Sequence, residues 1–171
     1  SLAVIGMGPI GMEIARIGVA MNMKVEAVRR AAKGDEPCPT FPMSDLHAVL
    51  GRADWVASAL PLTPDTRQVF DAAAFAAMRT GARFINVGRG ELVDENALIA
   101  ALRSGHLAGA GLDVFATEPL PEDSPLWGMD NVIVTPHNSG SSTTSNQRSE
   151  AIFLDNLERW TNGAALNNLV S

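Results

Sequence analysis

Cysteine is nearly absent from these 171 residues: Cys38, between Pro37 and Pro39, stands alone. One thiol cannot close an internal disulfide, so nothing points to a secreted, disulfide-stapled fold. Histidine is scarce as well, with three residues. Together with one cysteine they are too scattered to form a metal site. No apolar run approaches the ~18 residues of a membrane-spanning helix. The apolar start has no basic n-region, which argues against a signal peptide. Basic residues are in deficit, 13 Lys and Arg against 19 Asp and Glu, for a net charge of −6. That disfavours nonspecific nucleic-acid binding, which depends on neutralising phosphates. The expectation is a cytoplasmic protein with no metal and with neither membrane nor nucleic acid as partner.

The composition is core-forming, 46% hydrophobic and 19% charged. The length suggests one domain, on a prior of about 150 residues per domain. Short apolar runs alternate with helical stretches. The strand candidates are Leu2–Ile5, Val25–Val28, Trp55–Leu60, Arg83–Val87, Ala108–Val114 and Val132–Thr135. Several are apolar throughout, as in a parallel sheet covered on both faces. Ser44, Asp71 and Asp94 are candidate caps for helices over Asp45–Leu50, Ala72–Met78 and Glu95–Arg103. A last helix is expected over about 144–162, stopped by Gly163. Pro37–Pro42 and Pro119–Pro125 read as loops. Trp55, Trp127, Trp160 and the seven Met residues read as core, His47 as surface and His106 as structural. This order implies an α/β fold with a doubly wound parallel sheet.

Gly6-Met7-Gly8-Pro9-Ile10-Gly11 follows the first apolar run and opens the helical stretch Ile10 to Met21. Strand, glycine turn and helix place a dinucleotide pyrophosphate on a helix N-terminus. Gly6 permits the tight turn, Gly8 lets the backbone approach phosphates, and Gly11 lets helix and strand pack closely. Pro9 fits the first helical turn, where a missing N–H costs nothing.

Ligands of such sheets sit outside the carboxyl ends of the strands. At those ends stand Gly6, Arg29, Leu60-Pro61, Gly88-Arg89, Asp113 and Pro136-His137. His137 is either an acid/base group or a loop histidine bonding backbone. Arg89, between Gly88 and Gly90, either grips a carboxylate bidentately or closes a tight surface turn. Glu118 either pairs with a histidine or is an ordinary loop acid. Asp113 bonds either a ligand amide or a helix N-terminus.

Taken together, several motifs resemble the cofactor-binding domain of the D-isomer-specific 2-hydroxyacid dehydrogenases. They are Gly6–Gly11, Leu60-Pro61-Leu62-Thr63-Pro64, Asn86-Val87-Gly88-Arg89-Gly90, Gly109–Phe115 with Glu118-Pro119-Leu120-Pro121, and Thr135-Pro136-His137. The resemblance covers residues 2 to about 145. It implies a substrate-binding role for Arg89, an acid paired to histidine in Glu118, and a general acid/base in His137. Asp113 would hold the nicotinamide carboxamide. Leu60, Pro61, Thr63, Val87, Gly88 and Ser139 would line the cofactor beside Gly6, Gly8, Pro9, Ile10 and Gly11. The reaction implied is hydride transfer between a nicotinamide dinucleotide and a small 2-keto or 2-hydroxy acid, such as glyoxylate or hydroxypyruvate. A homodimer is the default by the same resemblance. A non-catalytic, corepressor-like dinucleotide sensor is the alternative.

Two departures stand out. The family's second domain lies largely before the glycine motif, where this sequence starts. Most of that substrate domain is therefore expected to be missing, and the chain is expected to bind dinucleotide but turn over poorly alone. Secondly, NAD-preferring folds carry an acid about 20 residues after the motif. Here Arg29 and Arg30 stand at that point, with Lys33 near. Arginine accepts a 2′-phosphate that a carboxylate would repel, so NADP is preferred, with NAD as the alternative.

Overall fold

Every residue of β1 (Leu2–Ile5) is buried, as an apolar strand in the middle of a sheet requires. The computed structural model describes residues 1–169. Its contacts divide the chain into two compact units, one Ser1–His137 and the other beginning at Asn138. The first unit holds seven strands, all paired in parallel, in the order β3-β2-β1-β4-β5-β6-β7. The others are β2 (Val25–Val28), β3 (Thr40–Phe41), β4 (Trp55–Ser58), β5 (Ala82–Asn86), β6 (Leu107–Leu112) and β7 (Val132–Val134). The expected doubly wound sheet is present, and its order reverses between β1 and β4.

The strands alternate their side chains between two apolar layers. Leu2, Val4 and Ala27 pack with Ala15 of α1 (Pro9–Ala20). Ala3, Ile5 and Val56 pack with α2 (Leu46–Leu50), α3 (Ala72–Ala77) and α4 (Glu95–Arg103). Phe70, Phe75 and Phe84 are fully buried there, with ring centroids 4.9–6.4 Å apart. Asp71 caps α3 by accepting the Ala74 N–H at 2.8 Å, and Asp94 caps α4 by accepting from Asn96 and Ala97. Each such cap contributes about 1 kcal/mol.

Several expectations need correction. Ser44 caps nothing: it lies within a single 3₁₀ turn, Met43–Asp45, and its hydroxyl donates to Asp45 instead. The stretch Pro37–Pro42 is not wholly loop, because Thr40–Phe41 forms β3. Proline signals hid it, and an edge strand tolerates them because only one side needs backbone partners. The carbonyls of Pro39 and Phe41 accept from Ala27 and Arg29. The three tryptophans are exposed rather than core. An indole is content at a surface where its N–H finds an acceptor, as Trp127 does on the Pro121 carbonyl at 2.9 Å. Met7 and Met78 are core, but Met21 is exposed. His47 is exposed, and the His106 Nε2 meets the Phe75 carbonyl at 3.0 Å, as expected.

The second unit is built on α5 (Ser145–Thr161), with Gly163 at φ +66° just beyond its end. The following segment folds back on the helix: Asn167 N–H donates to Asn156 Oδ1 at 2.8 Å, and Asn156 Nδ2 donates to the Asn167 carbonyl.

Candidate active site

Between β1 and β4 the chain turns at Gly6, which adopts φ +100°. A Cβ there would meet the backbone of Ala59 and Leu60 at 2.8 Å, and one on Gly11 would lie 1.8 Å from the Gly6 carbonyl oxygen. Glycine at both positions lets β1, the start of α1 and the exit of β4 pack together. Gly8 faces open space. Pro9 opens α1 and Ile10 is exposed beside it. First-turn N–H groups of a helix have no partner within it, so the turn presents donors to an anion. A cleft of about 560 Å³ adjoins it, lined by Gly6, Gly8, Arg29, Arg30, Leu60, Pro61 and Thr63. The Pro61–Thr66 loop is pinned by Thr66, whose hydroxyl donates to the Pro61 carbonyl at 2.7 Å and accepts the Thr63 N–H at 2.8 Å. A glycine turn with open space over Gly8, leading to a cationic cleft, fits a phosphorylated dinucleotide.

At the end of β2, Arg29 is not a free cation. Its guanidinium is paired with Glu36, whose carboxylate also accepts the N–H groups of Lys33 and Gly34. The Lys33 N–H, with Arg29 and the Gly34 N–H, outweighs partial burial and pulls the Glu36 carboxyl down to about 2. Arg30 is exposed. Glu26 points away as its mid-strand position suggests, and pairs with Arg52 at 2.8 Å. Glu36 was invisible as a site residue because it reaches Arg29 only through the fold of the loop.

The reactive groups gather at the ends of β5, β6 and β7. The His137 Nδ1 lies 2.7 Å from Glu118 Oε2. Partial burial raises the Glu118 carboxyl, but the bonds from His137 and the Phe115 N–H and the charge of Arg89 outweigh it, so its net shift is downward. An ionised carboxylate only accepts, so the Nδ1 that faces it carries the proton. His137 has φ +49°, a left-handed conformation that costs on the order of 1 kcal/mol for a non-glycine residue. Its N–H is held by the Asp113 carbonyl at 2.8 Å. Asp113 is itself buried and accepts from the Thr135 hydroxyl at 2.6 Å.

Arg89 sits on a turn that Asn86 shapes from both sides. Asn86 Nδ2 donates to the Arg89 carbonyl at 2.9 Å, and its Oδ1 accepts the Gly88 N–H at 3.1 Å. Gly88 is buried and Val87 half-buried. Gly90 presses against the Glu118 loop, since a Cβ there would lie 1.8 Å from the Phe115 carbonyl carbon. The Glu95 carboxylate accepts the Ala116 N–H at 2.7 Å and braces that loop from α4. Asn86, Thr135 and Glu95 thus orient the site, although only their place in motifs could have suggested it. An apolar recess of about 400 Å³, lined by Phe115, Leu120, Trp127 and Val134, flanks Glu118 and His137. Ser139 falls in the second unit, in an exposed turn where the Ser141 N–H donates to the Asn138 carbonyl. Among the described residues no three His, Cys, Asp or Glu side chains are grouped to hold a metal, and no helix is long and apolar enough to cross a membrane.

The chain is 44% identical over 160 residues to glyoxylate/hydroxypyruvate reductase B of Salmonella newport (strain SL254), covering 92% of this chain and 49% of that protein. It therefore spans about half the length of the curated relatives it matches. A D-isomer specific 2-hydroxyacid dehydrogenase from Xanthobacter autotrophicus Py2, solved with NADPH and MES, superposes with a TM-score of 0.93 at 41% identity, covering 99% of this chain and 70% of that one. An NADPH-dependent glyoxylate/hydroxypyruvate reductase from Sinorhizobium meliloti, solved with NADP and sulfate, does so at 0.92 and 37%, covering 99% and 55%. The family model for the D-isomer specific 2-hydroxyacid dehydrogenase NAD binding domain matches residues 1–139. A glycine turn over an open cleft, a histidine–carboxylate pair and an adjoining arginine turn are thus found on a chain that belongs to the D-isomer specific 2-hydroxyacid dehydrogenase family.

Proposed function

We propose that this chain is the dinucleotide-binding and acid–base part of a cytoplasmic oxidoreductase that interconverts a small 2-keto acid and its 2-hydroxy acid. The substrate class is that of glyoxylate and hydroxypyruvate, after the names of its relatives. NADP(H) is the preferred dinucleotide and NAD(H) the weaker one. The bound dinucleotide would supply or accept the hydride at its nicotinamide ring. The residues do the rest. Arg89 grips the substrate carboxylate and polarises the carbonyl. His137 Nε2 gives a proton to the carbonyl oxygen in reduction and takes it back in oxidation. Glu118 holds the Nδ1–H and stabilises the imidazolium. Asp113, set by Thr135, orients the nicotinamide carboxamide. Val87 and Gly88 add cofactor contacts. The one observation that carries this reading is the Glu118–His137 contact at 2.7 Å.

The relatives are about twice as long, so the substrate domain is sought in their additional length. This chain by itself is expected to bind dinucleotide and turn over poorly. A homodimer is supported by α1, where Ile10 and Ile17 are exposed along one face of the helix, with exposed Met21 at its C-cap. Sedimentation of wild type and Ile17→Glu tests it: a monomeric wild type rejects the dimer. For the activity, glyoxylate and hydroxypyruvate reduction is measured in the intact enzyme with and without His137→Ala. Undiminished turnover in the variant would end the acid/base assignment, and a wild type that binds dinucleotide but reduces neither acid would favour a non-catalytic dinucleotide sensor.

A further inference from the structure

The loop after β2 carries its own anion. The Glu36 side chain is 5% exposed, and both of its oxygens are engaged. Oε1 accepts from Arg29 and from the Lys33 N–H at 2.8 Å, and Oε2 accepts the Gly34 N–H at 2.8 Å. A guanidinium with two consecutive backbone N–H groups is a donor set for a small oxyanion. Here a carboxylate of the chain itself occupies it. Arg29, Arg30 and Lys33 all line the 560 Å³ cleft. Among the described residues, Arg29 is the one of these three whose charge is cancelled by an ion pair. Asp35 is exposed and lines the neighbouring cleft with Arg29 and Lys33. With its oxygens turned into the loop, Glu36 is not presented to ribose hydroxyls as the acid of an NAD-type site would be.

Resting on the NADP(H) reading, we propose that Glu36 is a specificity-determining residue that neutralises Arg29 and so tempers selectivity for a 2′-phosphorylated dinucleotide, leaving Arg30 and Lys33 to read the phosphate. It acts through Arg29 and the loop, not by touching the cofactor. Removing its charge while keeping an acceptor unmasks one positive charge in the cleft lining, which would attract a bound 2′-phosphate from roughly 8 Å. Between a surface-like and a bulk-water dielectric, that corresponds to about three- to thirty-fold in affinity. Glu36→Gln does this, its one amide oxygen keeping an acceptor for the Lys33 N–H while the Gly34 N–H loses its own.

The test titrates the 171-residue chain with NADPH, NADH, 2′,5′-ADP and 5′-AMP. Glu36→Gln is expected to tighten NADPH and 2′,5′-ADP by about three- to thirty-fold, to leave NADH and 5′-AMP within about two-fold, and to steepen the salt dependence of NADPH binding. Adding Arg29→Gln to Glu36→Gln is expected to return NADPH affinity to the wild-type level. A Glu36→Gln protein that binds NADPH no better than wild type, or that loses its thermal unfolding transition, overturns the proposal. So does a double variant that still binds as tightly as the single one. A wild-type chain that prefers NADH sinks the cofactor reading itself, whatever Glu36→Gln does.

Discussion

At the β5–β7 ends each candidate group is held by partners from other segments, whereas at the β2–β3 end the Arg29 and Glu36 side chains are held within one loop. His137 is tied by its side chain to Glu118 and by its backbone to Asp113. Glu118 is tied to His137 and to the Phe115 N–H. The Arg89 turn is clasped by Asn86 and pressed on Phe115 through Gly90. By contrast Arg30 is exposed, and Arg29 is held by a carboxylate seven residues further along the same loop. Proton transfer and hydride alignment tolerate little error in position. Recognition of a 2′-phosphate depends mainly on net charge nearby, which flexible side chains supply without rigid support. On the proposed reading, the packed side would carry the chemistry, and the loop a preference that a single substitution could alter.

The largest effect expected on the packed side is His137→Ala in the intact enzyme, with kcat/KM for glyoxylate falling about 10²- to 10⁴-fold while NADPH affinity holds. If affinity collapsed as well, the two regions would not be separable. Gly90→Ala tests packing itself. Its Cβ has no room beside Phe115, so a loss of about 1–3 kcal/mol is expected in chemical denaturation; an unchanged midpoint would show that the Arg89 turn is loosely held. On the loop side, Arg30→Ala is expected to weaken NADPH about ten-fold and leave NADH and the unfolding midpoint nearly unchanged. Equal losses for both dinucleotides would remove the contrast. The smallest effect is on acid stability. The Glu36 carboxyl falls from 4.5 unfolded to about 2 folded, so its contribution is complete above about 4.5 and disappears as pH drops through about 2. The stability gap between wild type and Glu36→Gln should close over that window; a gap independent of pH would mean that the charge contributes nothing. Glu118, also lowered, acts with the same sign.

Strands showed in the sequence wherever a strand was buried on both faces, because an uninterrupted apolar run leaves little choice. β3 did not, since two residues among prolines carry no period. The Asp71 and Asp94 caps were readable from local chemistry, but Ser44 was not, because the chain enters α2 through a 3₁₀ turn. Tryptophan misled, its size suggesting core where its amphipathic ring lies at the surface. In the site, Arg89 and His137 stood out at strand ends, and Glu118 only through the family resemblance; the fold sets Glu118 against His137. The residues that brace them — Asn86, Glu95 and Thr135 — could not be given roles, and neither could Glu36.

Order along the chain was enough to specify a parallel sheet and the edge of it on which ligands gather, because hydrophobic period and glycine placement are local properties. Which groups meet there is a matter of distance in space. Glu118 reaches His137, and Glu36 reaches Arg29, only after strands and loops have packed. Those two contacts, absent from any stretch of sequence, decide which nitrogen of the imidazole faces a carboxylate and which arginine is paired.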